Sequence, residues 1–144
     1  MKKNLYIFYL FFASALPAQE WENSYADALA DAKVSGKPIL LVFSGSDWCA
    51  PCIHLDRKVW QSDVFRDHAK KNYVLYKADF PKKKSHRLPD AVAERNNALA
   101  ERYNPKGNFP LIVLLGRDGA VLGKTGYHKG APEEYVDHLN ALIK

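Results

Sequence analysis

Residues 39–52 read ILLVFSGSDWCAPC, and this stretch decides how the rest of the chain is interpreted. Its first five residues are an unbroken apolar run with two β-branched members, which is the pattern of a strand buried on both faces of a sheet. A short polar loop then leads to Trp48. Cys49 and Cys52 follow at the start of a segment with helical spacing. The stretch therefore predicts a central strand that leads directly into a cysteine pair at the first turn of a helix.

Helices and strands alternate on both sides of this stretch. Apolar spacing, caps and turn residues predict helices over 21–35, from residue 49, from an N-cap at Ser62, over 90–103 and over 132–144. They predict further strands over 73–80, 111–115 and 121–127, the last two joined by an Asp118-Gly119 hairpin turn. This order is typical of an α/β fold with a mixed central sheet and helices on both faces.

Length and composition limit the number of domains and the class of function. The chain has 144 residues, 47% hydrophobic and 26% charged, which suits one ordinary globular domain. Removing residues 1–18 leaves 19 Lys and Arg against 16 Asp and Glu, a surplus too small for an electrostatic nucleic-acid binder. With two cysteines in total, no framework of several disulfides holds the fold together.

Residues 1–18 have the three-part layout of a secretory signal peptide. A basic start is followed by an apolar stretch over 5–16 and by small residues that end at Ala18. The apolar stretch is shorter than the roughly 20 residues of a membrane-spanning helix. We expect cleavage after Ala18, with Ala15 as the alternative, and a mature domain over 19–144. Such a protein would be periplasmic in a Gram-negative bacterium and secreted elsewhere, where disulfides can form.

The Cys49-Ala50-Pro51-Cys52 motif fits a redox pair or half of a zinc site. Zinc would need two more ligands, and no second cysteine pair or His-x₃-His supplies them. Covalent haem attachment needs a histidine directly after the second cysteine, where Ile53 stands. Because the motif lies between a strand and a helix, it favours the redox pair, and we expect neither a metal nor a cofactor.

The two cysteines have different expected roles. Cys49 meets the helix N-terminus, where backbone amides and the helix dipole stabilise a thiolate and lower its pKa below about 8.5, so it should attack. Cys52, one turn inside, should be shielded and resolve the mixed disulfide. Pro51 suits the first helical turn because its missing N–H has no partner there. Trp48 should shield the thiolate, or simply pack as a structural aromatic.

Three features together resemble the thioredoxin superfamily, over essentially the whole mature chain. They are Trp-Cys-x-x-Cys after a buried strand, Phe109-Pro110 before another strand, and Gly126 after the hairpin. The resemblance implies a thioredoxin-like three-layer fold with Pro110 as a cis-proline facing the disulfide. It also implies a substrate groove, in which the Phe109 backbone pairs with an extended segment of substrate. The groove would be formed by Phe109, Pro110 and Gly126, together with Trp48, Ala50 and Pro51.

A narrower resemblance concerns exported thioredoxin-like proteins related to the C-terminal domain of the thiol:disulfide interchange protein, which passes electrons across the inner membrane. Residues 44–49, Leu55-Asp56 and Val59-Trp60 carry it. It implies a thiol-disulfide oxidoreductase that reduces disulfides of exported proteins and is recharged by a membrane electron donor. We expect the protein to be a monomer. The Ala50-Pro51 spacer resembles that of reducing members. The alternative is a thioredoxin-fold binding module, for example for Cu(I), which favours soft thiolates.

One departure from the thioredoxin pattern affects the chemistry. Thioredoxins carry a buried acid six positions before the first cysteine, where this chain has Phe43. Leu75 falls at the expected place of the acid's lysine partner. The proton acceptor for Cys52 is therefore unassigned. Asp56 lies one helical turn after Cys52 and is a candidate, with a solvated or capping carboxylate as the alternative.

The remaining candidates lie outside the motif. His54 should be on the surface, because helical geometry turns it away from the pair. Tyr127 and His128 follow Gly126 and are candidate specificity residues. The basic run of Lys82, Lys83 and Lys84, with His86 and Arg87 beyond it, could dock an acidic partner or a lipid surface, or could simply be a solvated loop.

Overall fold

Four strands form one mixed sheet in the computed structural model, which describes residues 20–143. The strands are β1 (Ile39–Ser44), β2 (Val74–Asp79), β3 (Leu111–Leu115) and β4 (Val121–Thr125). Their order across the sheet is β2-β1-β3-β4, with β2 parallel to β1 and the other pairings antiparallel. The expected signal peptide, residues 1–18, lies outside the described residues.

In the described part of the chain, five α-helices surround the sheet. They are α1 (Tyr25–Ser35), α2 (Ala50–Leu55), α3 (Asp63–Asn72), α4 (Asp90–Tyr103) and α5 (Pro132–Ala141). A π-helical segment, Asp56–Trp60, joins α2 to α3, and a single 3₁₀ turn, Lys84–His86, precedes α4. Within residues 20–143, no helix is both long enough and apolar enough to span a bilayer.

The alternation of side chains along β1 divides the core into two halves. Leu40 and Val42 belong to a buried cluster that includes residues of α3 and α5. Ile39, Leu41 and Phe43 face the opposite way, into a cluster that includes residues of α1 and α4. Helices therefore cover both faces of the sheet, and the expected three-layer α/β architecture is confirmed.

Local chemistry sets the helix starts. Ser62 caps α3 as predicted, because its hydroxyl accepts the N–H of Phe65 at 3.2 Å. The first helix was expected from residue 21 and instead begins at Tyr25. Ser24 has an extended backbone, and its hydroxyl accepts the N–H of Asp27 at 3.0 Å, which fixes the start there. Trp21 precedes the helix and packs edge-on against Trp60.

Several other predicted elements are shorter than expected. The second strand, predicted over 73–80, spans Val74–Asp79, and the last helix ends at Ala141, which leaves Ile143 exposed instead of on its buried face. The last strand, predicted over 121–127, ends at Thr125, which pairs with Ile112. Two positions further, its partner would be Pro110, which has no N–H with which to extend the ladder.

Candidate active site

The two cysteines form a disulfide at the junction of β1 and α2. The Cys49 and Cys52 sulfur atoms are 2.08 Å apart. Both residues are buried, with 5% of Cys49 and 3% of Cys52 exposed. The sequence predicted that Cys52 is the more shielded of the two. In this oxidised form the two are buried alike, because the loop and the first helical turn enclose the bridge.

Backbone geometry places Cys49 at the start of α2. Its backbone is extended, and its Sγ accepts the N–H of Cys52 at 3.3 Å, so the sulfur occupies the N-cap position. Pro51 lies in the first turn, as the sequence predicted, and Ala50 is exposed beside it. The Cys49 sulfur is thus held where unpaired helix amides stabilise negative charge.

A glycine lets the tryptophan before the motif lie across the loop. A Cβ atom built on Gly45 would come within 2.3 Å of the Trp48 ring, so this position requires glycine. The Trp48 indole N–H donates to the Phe80 carbonyl at 2.7 Å, although 38% of the residue stays exposed. Its ring meets Phe109 edge-on, with centroids 5.3 Å apart. Trp48, Phe80 and Phe109 form a continuous aromatic surface, here called the platform.

The predicted groove residues fall into two contact groups. Trp48 and Phe109 meet in the platform, and Phe109 also packs edge-on against Phe80. The Phe109–Pro110 peptide bond is cis, the isomer that the resemblance implies. Gly126 lies beside Pro110, since a Cβ atom built on it would be 3.7 Å from the Pro110 carbonyl oxygen.

A polar cavity of about 300 Å³ lies on the Cys52 side of the disulfide. Besides Cys52, its lining includes Ser44, Asp56, Gln61 and Lys77. The Lys77 ammonium contacts one Asp56 oxygen at 2.6 Å, and the Gln61 amide donates to the other at 2.6 Å. Asp56 is the C-cap residue of α2, and its side chain is held by these two contacts. It is a paired carboxylate that shares a cavity with Cys52.

The two positions assigned by counting residues, Phe43 and Leu75, lie on opposite faces of the sheet. Phe43 points into the core half of α1 and α4, away from Lys77, which shares its strand face with Leu75 in the other half. The β1 residue in register with Lys77 is Val42, which is apolar and buried. A lysine does reach this cavity, at residue 77, and its carboxylate partner Asp56 belongs to the helical segment after Cys52.

Asp47 is a site residue that the sequence analysis missed. Its side chain is 3% exposed and accepts the backbone N–H groups of Lys82 and Lys83, each at 2.9 Å, and contacts His86 Nδ1 at 3.1 Å. The hydrogen bond from the Lys82 N–H, with those from Lys83 and His86, holds the pKa of Asp47 below its ordinary value. No sequence pattern links residues so far apart.

The candidate specificity residues Tyr127 and His128 each contact a histidine. His54 is exposed, as predicted, and contacts the Tyr127 ring edge-on, with centroids 5.7 Å apart. The His128 and His138 rings pack against each other at a tilt, and the Nε2 atom of each lies 2.7 Å from the Thr125 hydroxyl. Burial, and then the neighbouring His128, lower the pKa of His138. These contacts anchor the loop after β4.

A family comparison matches this arrangement. The family model described as Thioredoxin-like matches residues 20–116, which include β1, the cysteine pair and β3. The chain belongs to this family. The disulfide bond reductase DsbH of Chlamydia pneumoniae is 35% identical over 125 residues, which are 87% of this chain and 73% of that protein.

Solved structures agree with the assignment. A structure of a DsbH oxidoreductase superposes with a TM-score of 0.81 at 31% identity, covering 99% of this chain and 94% of that one. The oxidised C-terminal domain of DsbD from Neisseria meningitidis shares the fold, with a TM-score of 0.54, 18% identity, and coverage of 81% and 90%. The family member described here is a thiol-disulfide oxidoreductase with its cysteine pair in the oxidised form.

Proposed function

We propose that this oxidoreductase reduces disulfides of exported proteins, with Cys49 as the attacking residue and Cys52 as the resolving residue. The observation that carries the proposal is the Cys49–Cys52 bridge at the N-terminus of α2, beside the platform. The relative DsbH is named a disulfide bond reductase, which supports the reducing direction. The Ala50-Pro51 spacer supports the same direction.

The proposed reaction begins with the dithiol form. The Cys49 thiolate attacks one sulfur of the substrate disulfide, a mixed disulfide forms, and the other substrate sulfur leaves as a thiolate. Cys52 then loses its proton and attacks Cys49 Sγ, which releases the second substrate sulfur. The substrate gains two electrons, and the protein ends in the oxidised form described above.

Asp56 is the proposed proton acceptor for Cys52. The two residues line one cavity, whose volume of about 300 Å³ has room for water to connect them. Lys77 and Gln61 occupy both carboxylate oxygens and fix the group in place. With Val42 apolar in the strand, this carboxylate takes the part that a strand acid plays in thioredoxins.

Export and recharging belong to the same proposal. We expect residues 1–18 to be removed as a signal peptide, which places the monomeric mature domain in a compartment where disulfides form. Each turnover consumes the dithiol, so a membrane electron donor must restore it. Mass spectrometry of the native protein tests export. A mature N-terminus near Gln19 supports it, and retention of residues 1–18 on a cytoplasmic protein contradicts it.

The activity is tested by turnover of a disulfide-bearing protein with dithiothreitol as the source of electrons. We expect multiple turnovers, and none for Cys49→Ser. A redox titration of the pair against glutathione gives its potential, and a strongly reducing value agrees with the proposed direction. A metal assay runs in parallel. Stoichiometric copper in the purified protein without turnover would favour the binding module and contradict the proposed reduction of exported proteins.

A further inference from the structure

Residues 82–87, here called the basic segment, form a cluster of positive charge beside the active site. Lys82, Lys83, Lys84 and Arg87 provide four permanent cations within six residues, and all four residues are exposed. The reduction chemistry uses none of them. A solvated surface loop would also contain such residues. Whether these cations bind a partner therefore depends on where they lie and on how firmly the backbone holds them.

Hydrogen bonds to Asp47 fix the backbone of the basic segment. The Asp47 carboxylate accepts the backbone N–H groups of Lys82 and Lys83 and contacts His86, while only 3% of the Asp47 side chain is exposed. A 3₁₀ turn over Lys84–His86 orders the next residues. Such interactions fix the backbone and leave the lysine side chains pointing outward, so the charge is presented in a defined place.

The same contacts place the basic segment next to the attacking cysteine. Asp47 lies two residues before Cys49. The loop that leads into the disulfide therefore also carries the carboxylate that holds the basic segment, here called the anchor. The Lys82 ammonium lies 3.9 Å from the centre of the Trp48 ring, which is a cation–π distance. The cationic surface therefore continues directly into the platform.

The carboxylates of Asp47, Asp79 and Asp90 lie nearby and offset part of this charge, but they do not outnumber the four cations. Asp47 is occupied by the segment's own N–H groups, and Asp79 accepts the N–H and hydroxyl of Ser46. Among the ion pairs of residues 20–143, only that of Arg87 with Asp90 involves one of the four cations. A cavity of about 360 Å³ runs along the segment, and the three lysines and Arg87 are among its lining residues.

We propose that the basic segment binds an acidic stretch of the protein whose disulfide is reduced, next to the cysteine that Cys49 attacks. The inference rests on the proposed function and adds the charge of the preferred partner. A chain whose cysteine reaches Cys49 must pass close to Trp48, and hence close to Lys82. A membrane is the less suitable occupant, because a bilayer on this face would cover the disulfide that the substrate must reach.

Binding of unreactive peptides tests this proposal apart from turnover. Two peptides of otherwise identical sequence are compared, each with serine in place of the reactive cysteine. The acidic peptide has four aspartates beside that serine, and the neutral peptide has four asparagines in their place. At an ionic strength of about 20 mM we expect calorimetry to give roughly tenfold tighter binding of the acidic peptide, with the preference lost at about 0.5 M salt.

A matched pair of variants locates the effect. Lys83→Gln with Lys84→Gln should weaken the acidic preference by at least about threefold, since each exposed charge pair contributes a modest free energy. Lys70→Gln with Lys71→Gln removes the same two charges from exposed positions on α3, and should leave the preference unchanged. An equal loss in both variants would assign the effect to net charge and overturn the proposal.

Further outcomes separate this inference from the proposed function. Equal affinity for the two peptides overturns the inference even if the cysteine-bearing versions are reduced. Tighter acidic binding that depends on Lys83 and Lys84 supports it even if no disulfide is reduced, a result that would overturn the proposed function alone. If the peptides bind equally while sedimentation with phosphatidylglycerol vesicles depends on these lysines, the segment is a lipid site and the proposal is wrong.

Discussion

The two sides of the disulfide differ in chemistry. Next to Cys49 lies the aromatic platform, half open to solvent, with a lysine ammonium over its tryptophan. Next to Cys52 lies a polar cavity, in which Lys77 and Asp56 form an ion pair. A surface of the first kind can hold a passing polypeptide, and a cavity of the second kind can take up a proton. In the proposed mechanism, the bridge therefore separates a recognition side from a proton-transfer side.

Exchanging the cysteines one at a time gives the largest expected effect. Cys52→Ser keeps the attacking thiolate but removes the resolving thiol, so mixed disulfides with substrates should accumulate. Cys49→Ser should trap essentially none, although both variants lose turnover. Complexes released by dithiothreitol on denaturing gels measure the difference. The same number of trapped complexes from both variants would break the division between the two sides.

The substitution Asp56→Asn tests whether this carboxylate accepts the proton of Cys52. General base catalysis contributes about 10²–10⁴-fold in favourable cases, and we expect the partly exposed Asp56 to contribute about tenfold to resolution near neutral pH. Rapid mixing of the reduced protein with a chromogenic disulfide separates resolution from attack. Asp63→Asn, in the first turn of α3, is the control and should resolve at the normal rate.

The pH profile distinguishes a proton acceptor from a structural residue. Free thiols ionise near pH 8.5, so the deficit of Asp56→Asn should shrink as the pH rises and Cys52 loses its proton without help. A deficit that stays constant over the whole pH range would show that Asp56 only shapes the cavity. Slower attack by Cys49 in this variant would show that the two sides are not separate.

Local sequence patterns predicted one side better than the other. The apolar run of β1, the cysteine motif at a helix start, α4 and the Ser62 cap depend on residues close together in the chain, and all were predicted. The ion pair of the cavity depends on strand register. Lys77 reaches Asp56 because β2 pairs with β1 with Lys77 opposite Val42, and a count along the chain pointed to Phe43 and Leu75 instead.

Two other features had no local signal. The anchor at Asp47 joins loops that are 35 residues apart, and an aspartate before a tryptophan has no pattern that predicts such a contact. The π-helical segment Asp56–Trp60 has apolar spacing close to that of an α-helix, so the sequence predicted a continuous helix there. Tertiary packing decides both, and a single sequence does not contain it.

Selective alkylation tests whether the helix N-terminus favours the Cys49 thiolate. In the reduced protein at about pH 6, iodoacetamide should label Cys49 several-fold faster than Cys52, because thiolates and not thiols react. Peptide mapping by mass spectrometry gives the ratio. Both residues are similarly buried in the oxidised form, so a preference would reflect charge stabilisation more than access. Preferential labelling of Cys52 would reverse the roles of the two sides.

The smallest expected effect concerns the anchor beneath the recognition side. The pKa of Asp47 is lowered, chiefly by the hydrogen bond from the Lys82 N–H, so the folded protein favours the charged carboxylate more than the unfolded chain does. The resulting stability is fully present above the ordinary aspartate pKa of about 4 and is lost as the pH falls through the lower pKa of the folded state. Asp47→Asn lacks this contribution at every pH. Its urea midpoint should therefore lie below that of the natural protein at pH 6, and the two should converge towards pH 3.

A local readout shows whether the loss occurs at the basic segment. Trypsin cleaves after lysine and arginine, and while the carboxylate holds the N–H groups of Lys82 and Lys83 the segment should resist cleavage. In Asp47→Asn at neutral pH, cleavage within residues 82–87 should become faster, while cleavage at Lys70 and Lys71 in α3 should not change. Faster cleavage at both places would indicate general destabilisation. Unchanged cleavage at both would mean that the segment keeps its place without the carboxylate, and the recognition side would then owe its rigidity to the Trp48 contacts.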